Sequence, residues 1–100
     1  MDTQDRQLYL QEVLELTELL NTEWVDLKKL LVENNINLEG AYMVVYLEGK
    51  SDGAEYGIIL TADKKLIRFI AKDGGITLQE LEDRATAEVE FPTIIVAMEL

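Results

Sequence analysis

Carboxylates are the only reactive side chains that this chain carries in quantity. Its 100 residues include 20 Asp and Glu but neither histidine nor cysteine. Imidazole and thiol groups perform most proton transfer at neutral pH, most thiol nucleophilic attack and most transition-metal binding. The chemistry left to the chain is that of paired carboxylates, which can act as acid and base or bind Mg²⁺ or Ca²⁺.

The acidic residues near glycines do not have the spacing of a metal site. Asp52-Gly53, Asp63 and Asp73-Gly74-Gly75 all fall in predicted turns, where Asp and Gly serve the backbone conformation. No stretch has the spacing of an EF-hand calcium loop. We therefore expect no metal and no cofactor.

Nucleophilic and phosphate-binding motifs are also missing. The segment Gly49-Lys50-Ser51 resembles the end of a P-loop, but Val44 occupies the position where the first glycine is required. Ser51 is the only serine, and without histidine a Ser-His-Asp triad is impossible. Lys50 would point away from its neighbour Ser51 on a hairpin. We therefore expect that the protein is not an enzyme, and a carboxylate-based, Mg²⁺-dependent enzyme is the least favoured alternative.

A group of acidic residues lies near the carboxyl end of the chain. It consists of Glu80, Glu82, Asp83, Glu88 and Glu90. One interpretation is a solvated face opposite the core, and the other is an anionic surface that binds a basic protein. Glu88 and Glu90 favour the second, because like charges two residues apart on one strand face repel unless a positive group lies opposite. We therefore predict that these residues bind the partner.

The excess of carboxylates predicts the kind of partner. With 9 Lys and Arg the formal net charge is −11, and scattered cations do not form the basic patch that phosphate groups require. We expect a basic protein partner, no direct contact with nucleic acid and no membrane association. The longest apolar run, Ile94–Met98, is far shorter than the ~20 residues of a membrane-spanning helix. The amino-terminal residues lack the pattern of a signal peptide, so we expect a cytoplasmic protein.

The amino-terminal third of the chain has a helical pattern. Residues 5–34 contain no Gly or Pro, and apolar residues recur every three or four positions. One unbroken helix would be about 45 Å long, which exceeds the width of such a domain and favours a homodimer. Its interface would consist of Leu20, Trp24, Leu27 and Leu31. The alternative, which we favour, is two helices divided at Asn21-Thr22, a pair typical of helix ends.

Trp24 would be a core residue in the divided arrangement and an interface residue in the unbroken one. In both cases Asn34-Asn35-Ile36 has the pattern of a helix end, with an Asn that can adopt the left-handed conformation.

After Gly40 the apolar pattern changes to a period of two. Strands are predicted at 41–47, 56–61 and 66–71, with turns at 50–53 and 62–65. Three strands joined by short turns form an antiparallel meander.

The last quarter of the chain is predicted as helix and then strand. Thr77-Leu78-Gln79-Glu80 has the capping-box pattern, which indicates a short helix through Arg84. Residues 85–91 alternate between apolar and polar side chains, as in a strand with one wet face. Pro92 indicates an edge or a bend, and residues 93–98 fit either a further strand or a short terminal helix.

These patterns predict one α+β domain over residues 1–100, in which the amino-terminal helical segment packs on an antiparallel sheet of about four to five strands. The function that fits best is a small acidic, non-enzymatic protein-binding module. It would act as an adaptor, or as an antitoxin-like or nucleic-acid-mimicking inhibitor. The alternative is a structural or assembly protein that forms homodimers through its amino-terminal helix.

Overall fold

The computed structural model of the protein describes residues 2–49 and 53–100. Its elements occur in the order α1 (Thr3–Thr22), α2 (Val25–Glu33), β1 (Tyr42–Glu48), β2 (Glu55–Leu60), β3 (Leu66–Lys72), β4 (Gly75–Leu81), α3 (Arg84–Glu90) and α4 (Thr93–Met98). The strands form an antiparallel meander in the order β1-β2-β3-β4. The predicted α+β fold, with amino-terminal helices on an antiparallel sheet, is confirmed.

The amino-terminal helical segment is divided into two helices, as predicted, but the break lies at Glu23-Trp24, just after the predicted Asn21-Thr22. Asn21 and Thr22 donate side-chain hydrogen bonds to backbone carbonyls one turn earlier, within the last turns of α1. Trp24 leaves the helical conformation, with φ −101° and ψ 53°, and α2 begins at the next residue. The helical spacing of apolar residues continues across this break because Leu20 of α1 and Leu27 and Leu31 of α2 pack into the same core cluster.

Helix α2 ends as its sequence predicts. Asn35 adopts the left-handed conformation with φ 62°. The N–H of Ile36 then donates to the carbonyl of Leu31 at 3.0 Å, and the Ile36 side chain packs against the core. This arrangement satisfies a carbonyl that the end of the helix leaves without a partner.

Residues with positive φ form the turns of the meander. Lys64, with φ 67°, turns the chain between β2 and β3, and Asp73 (φ 54°) with Gly74 (φ 80°) forms the turn between β3 and β4. The predicted hairpin turn at 50–53 lies outside the described residues except for Gly53, which has φ 69°.

The predicted helix from Thr77 through Arg84 is wrong, because this segment contains strand β4. Strand β4 pairs with β3 from Gly75, opposite Lys72, to Leu81, opposite Leu66. A helix cap contributes only about 1 kcal/mol. The tight Asp73-Gly74 turn brings the segment directly beside β3, where its backbone and its alternating apolar side chains find partners.

The predicted strand at 85–91 is also wrong, because Arg84–Glu90 forms α3. Asp83 caps this helix by accepting hydrogen bonds from the N–H and the hydroxyl of Thr86, at 3.0 and 2.7 Å. Ala87 is the buried residue of α3. A helix can bury a single residue as readily as a strand can, so the alternating pattern of residues 85–91 does not require a strand. Residues Thr93–Met98 form the short terminal helix α4 after Pro92. The described residues therefore contain a four-stranded sheet.

Core side chains form two clusters, one on each face of the sheet. The cluster below α3 and α4, which we call the first cluster, includes Val44, Ile58, Leu60, Leu66, Ala87 and Ile94. The cluster below α2, the second cluster, includes Leu27, Leu31, Met43, Ile59, Ile67 and Phe69.

Helix α1 lies along the edge of β1 and contributes to both clusters. Val13 belongs to the first cluster and Leu20 to the second. Between them, the hydroxyl of Thr17 accepts a hydrogen bond from the N–H of Met43 at 3.0 Å. The edge of β1 is therefore covered, whereas β4 forms the opposite edge of the sheet.

Among the helices of residues 2–49 and 53–100, none combines the length and the hydropathy that crossing a bilayer requires.

Candidate functional site

Tyr46 and Phe69 form an aromatic platform on the face of the sheet that carries the second cluster, and Gly57, which has no side chain, lies between them. Gly57 lies opposite Tyr46 on β1 and Phe69 on β3. A Cβ atom at Gly57 would lie 2.3 Å from Cε1 of Phe69 and 2.7 Å from the carbonyl oxygen of Val45. The Phe69 ring therefore fills the space that a side chain would take.

Trp24 packs on this platform because the break between α1 and α2 directs its side chain toward the sheet. Its ring centroid lies 5.2 Å from that of Phe69 and 5.8 Å from that of Tyr46, with interplanar angles of 57° and 67°. Tilted and edge-to-face contacts of this kind stabilise aromatic pairs beyond the area that they bury. Trp24 nevertheless remains only partly buried.

A pocket of about 570 Å³ opens beside Trp24, and we call it the Trp24 pocket. Its residues come from the α1–α2 break and from the facing end of the sheet. They are Leu19, Glu23, Trp24, Val25, Asp26, Tyr46, Glu48, Glu55 and Ile76. The set contains two aromatic rings and four carboxylates, and it contains no Lys or Arg from the described part of the chain.

Two of these carboxylates stand directly opposite each other. Glu48 at the end of β1 pairs in register with Glu55 at the start of β2. Like charges directly opposite on neighbouring strands destabilise a sheet. Within residues 2–49 and 53–100 neither glutamate forms an ion pair, so no described cation offsets this repulsion.

The phenol of Tyr46 responds to this negative charge. Burial and the neighbouring carboxylates of Glu55 and Glu48 raise the pKa of Tyr46 to about 12. The Tyr46 hydroxyl donates a hydrogen bond to Oε1 of Glu48 at 3.2 Å. The phenol therefore stays protonated further into the alkaline range than an ordinary tyrosine, and it serves as a donor and an aromatic wall.

These features suit a compact organic cation. Aromatic faces attract ammonium and guanidinium groups, and carboxylates pair with them by charge-assisted hydrogen bonds. A metal ion requires a different arrangement, and the described residues contain no group of three or more His, Cys, Asp or Glu that could hold one.

The five predicted partner-binding acids lie at the end of β4, in the loop that follows it and on α3. Asp83 caps α3, and its hydrogen bonds from Thr86 lower its pKa below the usual range. Glu88 forms an ion pair with Arg84, with Nε and Oε1 2.9 Å apart. Because Glu88 and Glu90 lie on a helix, the argument from repulsion along one strand face does not apply to them.

The remaining acids border two other depressions. Glu80 and Glu82 line a shallow one together with Lys64, Lys65 and Arg84, where charges of both signs mix. Glu90 and Asp83 lie at a groove of about 370 Å³ between α3 and the sheet, and Arg68 also lines this groove.

Leu20, Leu27 and Leu31, three of the four residues predicted for a dimer interface, are buried in the second cluster with at most 3% of their surface exposed. In this fold a second chain could therefore contact Trp24, but it could not contact these leucines.

Sequence reasoning missed Glu48 and Glu55 as site residues. A usable signal was present, because the predicted strands on either side of the turn at 50–53 bring residues 48 and 55 close to the same position along the hairpin. The contribution of Trp24, Glu23 and Asp26 to the same pocket depends on helix packing and has no local signal.

Comparisons of this chain with protein-family models, with curated proteins and with solved structures found no match.

Proposed function

We propose that this protein is a non-enzymatic binding module for a basic protein, and that the Trp24 pocket takes a lysine or arginine side chain of that partner. The observation that carries the proposal is the pair Glu48 and Glu55, which stand opposite each other beside Trp24 without a described cation between them. A bound ammonium or guanidinium group would convert this repulsion into two attractive contacts.

The pocket has the composition that a basic side chain needs. Trp24 and Tyr46 provide aromatic surface for the apolar stem and for cation–π contact, and Glu23 and Asp26 add negative charge at the rim. The net charge of −11 supports the same partner at longer range, because it attracts basic proteins and repels phosphate-rich ones.

Trp24 provides the test, since it is the only tryptophan of the chain. We expect its fluorescence to change on titration with an end-blocked oligolysine peptide and to remain constant with an oligoglutamate peptide of the same length. Binding should weaken as salt rises, because contacts between exposed charges are screened over about 8 Å at physiological ionic strength.

Matched variants distinguish the pocket from general acidity. We expect the double variant Glu48→Gln/Glu55→Gln to lose at least about tenfold in oligolysine affinity, which corresponds to about 1.4 kcal/mol. The variant Glu12→Gln/Glu33→Gln removes the same charge from exposed helical positions and should lose much less. Equal losses in the two variants would show that only the overall charge matters and would contradict the proposed site.

A further inference from the structure

The two edges of the sheet differ in how they are protected. Helix α1 lies along β1, where the hydroxyl of Thr17 accepts from the N–H of Met43 at 3.0 Å. At the neighbouring bulge the hydroxyl of Thr93 donates to the carbonyl of Val44 at 2.7 Å. No helix of the described ranges packs along β4 in this way. Strand β4 is a straight edge of seven residues without proline or bulge, which is the kind of edge that accepts another strand.

The hairpin register identifies the backbone groups that β4 presents to solvent. Lys72 and Gly75 flank the two-residue turn Asp73-Gly74 and so form a hydrogen-bonded pair. Hydrogen-bonded and non-hydrogen-bonded pairs alternate along an antiparallel ladder. The N–H and C=O groups of Thr77 and Gln79 therefore face β3. Those of Ile76, Leu78 and Glu80 point outward and are available to a fifth strand.

These outward groups lie beside the Trp24 pocket. Ile76 is itself one of the residues that line the pocket, and both Ile76 and Leu78 pack against the second cluster. In an added strand, a side chain level with Ile76 or Leu78 would extend from the same face of the sheet. A backbone paired with β4 would thus bring its side chains to the rim of the pocket.

Charge identifies the occupant of this edge. Glu80 lies among the outward-facing residues, and the pocket adds further carboxylates. A second copy of the chain would bring its own net charge of −11 to this edge, which is unfavourable. A basic strand would meet opposite charge at the end of β4 that lies beside the Trp24 pocket, whereas charges of both signs mix around Glu80.

We propose that the basic partner docks through an extended segment that adds to β4 as a fifth strand and directs a basic side chain into the Trp24 pocket. This proposal rests on the function proposed above and specifies how the partner's backbone binds. Main-chain hydrogen bonds would supply affinity, and the pocket would select the side chain.

The test uses a short end-blocked peptide in which lysine and valine alternate, added to the full-length ¹⁵N-labelled protein. We expect amide hydrogen exchange to slow at least about tenfold at Ile76, Leu78 and Glu80. The amides of Thr77 and Gln79, which already bond to β3, should change much less. Trp24 fluorescence should change at the same peptide concentrations.

Two controls test the backbone directly. The same peptide with alternate backbone amides methylated keeps its charge but cannot pair, and we expect it to bind at least about tenfold more weakly. The variant Glu80→Pro removes one outward N–H from β4 and should also lose the peptide, whereas Glu80→Gln, which removes the charge and keeps the N–H, should retain most of the affinity because most of the attracting carboxylates belong to the Trp24 pocket. The amide spectrum of each variant reports its fold.

The possible outcomes separate the two proposals. If the methylated peptide binds as well as the unmethylated one and changes Trp24 fluorescence without protecting Ile76, Leu78 and Glu80, the pocket is correct and strand addition is wrong. Protection of these amides that depends on protein concentration without peptide would mean pairing between copies and would overturn the basic strand. If neither peptide changes Trp24 fluorescence and no β4 amide is protected, both proposals fail.

Discussion

The position of Trp24 depends on a residue that has no side chain. Gly57 leaves room for the Phe69 ring, and Phe69 in turn supports Trp24. A methyl group at Gly57 would have to move either this ring or the backbone of β1, because the contacts that it would make are shorter than any real Cβ contact. The binding pocket is therefore sensitive to a change that alters neither charge nor polarity.

We expect Gly57→Ala to lower the free energy of unfolding by about 1–3 kcal/mol, the usual cost of overpacking a core. The emission maximum of Trp24 should also shift. Urea denaturation followed by fluorescence measures both effects. Gly75→Ala is the matched control, since a Cβ atom there would meet only the carbonyl oxygen of Lys72, at an ordinary 3.7 Å. Equal destabilisation by the two variants would contradict this account of the platform.

The phenol of Tyr46 predicts a dependence of stability on alkaline pH. Its pKa is raised from 10.0 to about 12 in the folded protein, so the folded state favours the protonated form. The resulting stabilisation is complete below pH 10 and is lost as the pH rises through about 12. We expect urea denaturation across this range to show a decline in stability that Tyr46→Phe lacks. If both proteins decline in parallel, the phenol is not responsible.

At the scale of elements, repulsion between Glu48 and Glu55 destabilises the β1–β2 strand pair. Replacing Glu55 with lysine would turn the repulsion into a cross-strand ion pair and should raise the free energy of unfolding by about 0.2–1 kcal/mol. The same change fills the pocket with a cation, so oligolysine binding should be lost. Glu33→Lys, on the exposed face of α2, changes the net charge equally and controls for it. Equal stabilisation by both substitutions would assign the effect to net charge.

The bulge in β1 joins the sheet to α4. Thr93 is buried, and its hydroxyl donates to the carbonyl of Val44 where the register shifts. We expect Thr93→Val to cost about 1–3 kcal/mol, because the carbonyl would stay buried without this donor. Thr93→Ser keeps the hydroxyl and should lose less. Chemical denaturation of the two variants measures the difference, and an equal cost would mean that the methyl group contributes as much as the hydrogen bond, which would contradict this account.

At the scale of the whole molecule, a net charge of −11 has opposite effects on folding and on binding. Repulsion among carboxylates destabilises the compact state, whereas attraction to a basic partner strengthens association. Added salt weakens both the repulsion among carboxylates and the attraction to a basic partner, because it shortens the screening distance from about 30 Å at 0.01 M to about 8 Å at 0.15 M.

We therefore expect the free energy of unfolding to rise over this range of sodium chloride while the affinity for oligolysine falls. Denaturation and fluorescence titration at the same salt concentrations provide the comparison. If affinity is unchanged over the series, contacts other than charge dominate binding.

Local signals in the sequence predicted the elements that depend on local chemistry. The division of the amino-terminal segment into two helices, the left-handed Asn35 and the turns at residues 62–65 and 72–75 were predicted correctly, although the helix break lies at Glu23-Trp24, just after the predicted Asn21-Thr22. Caps and turns are determined by the few residues that form them. The apolar periods identified α1, α2 and the first three strands, because the spacing of apolar residues within one element is also a local pattern.

Tertiary structure determined what depends on distant partners. The capping box at residues 77–80 indicated a helix, but pairing with β3 made this segment a strand and left it as the open edge. The Trp24 pocket combines the α1–α2 break with the ends of β1, β2 and β4, which are far apart in sequence. The acidic composition indicated a basic partner, but only packing brought aromatic rings beside carboxylates, since contacts between distant segments depend on the whole fold and leave no local pattern.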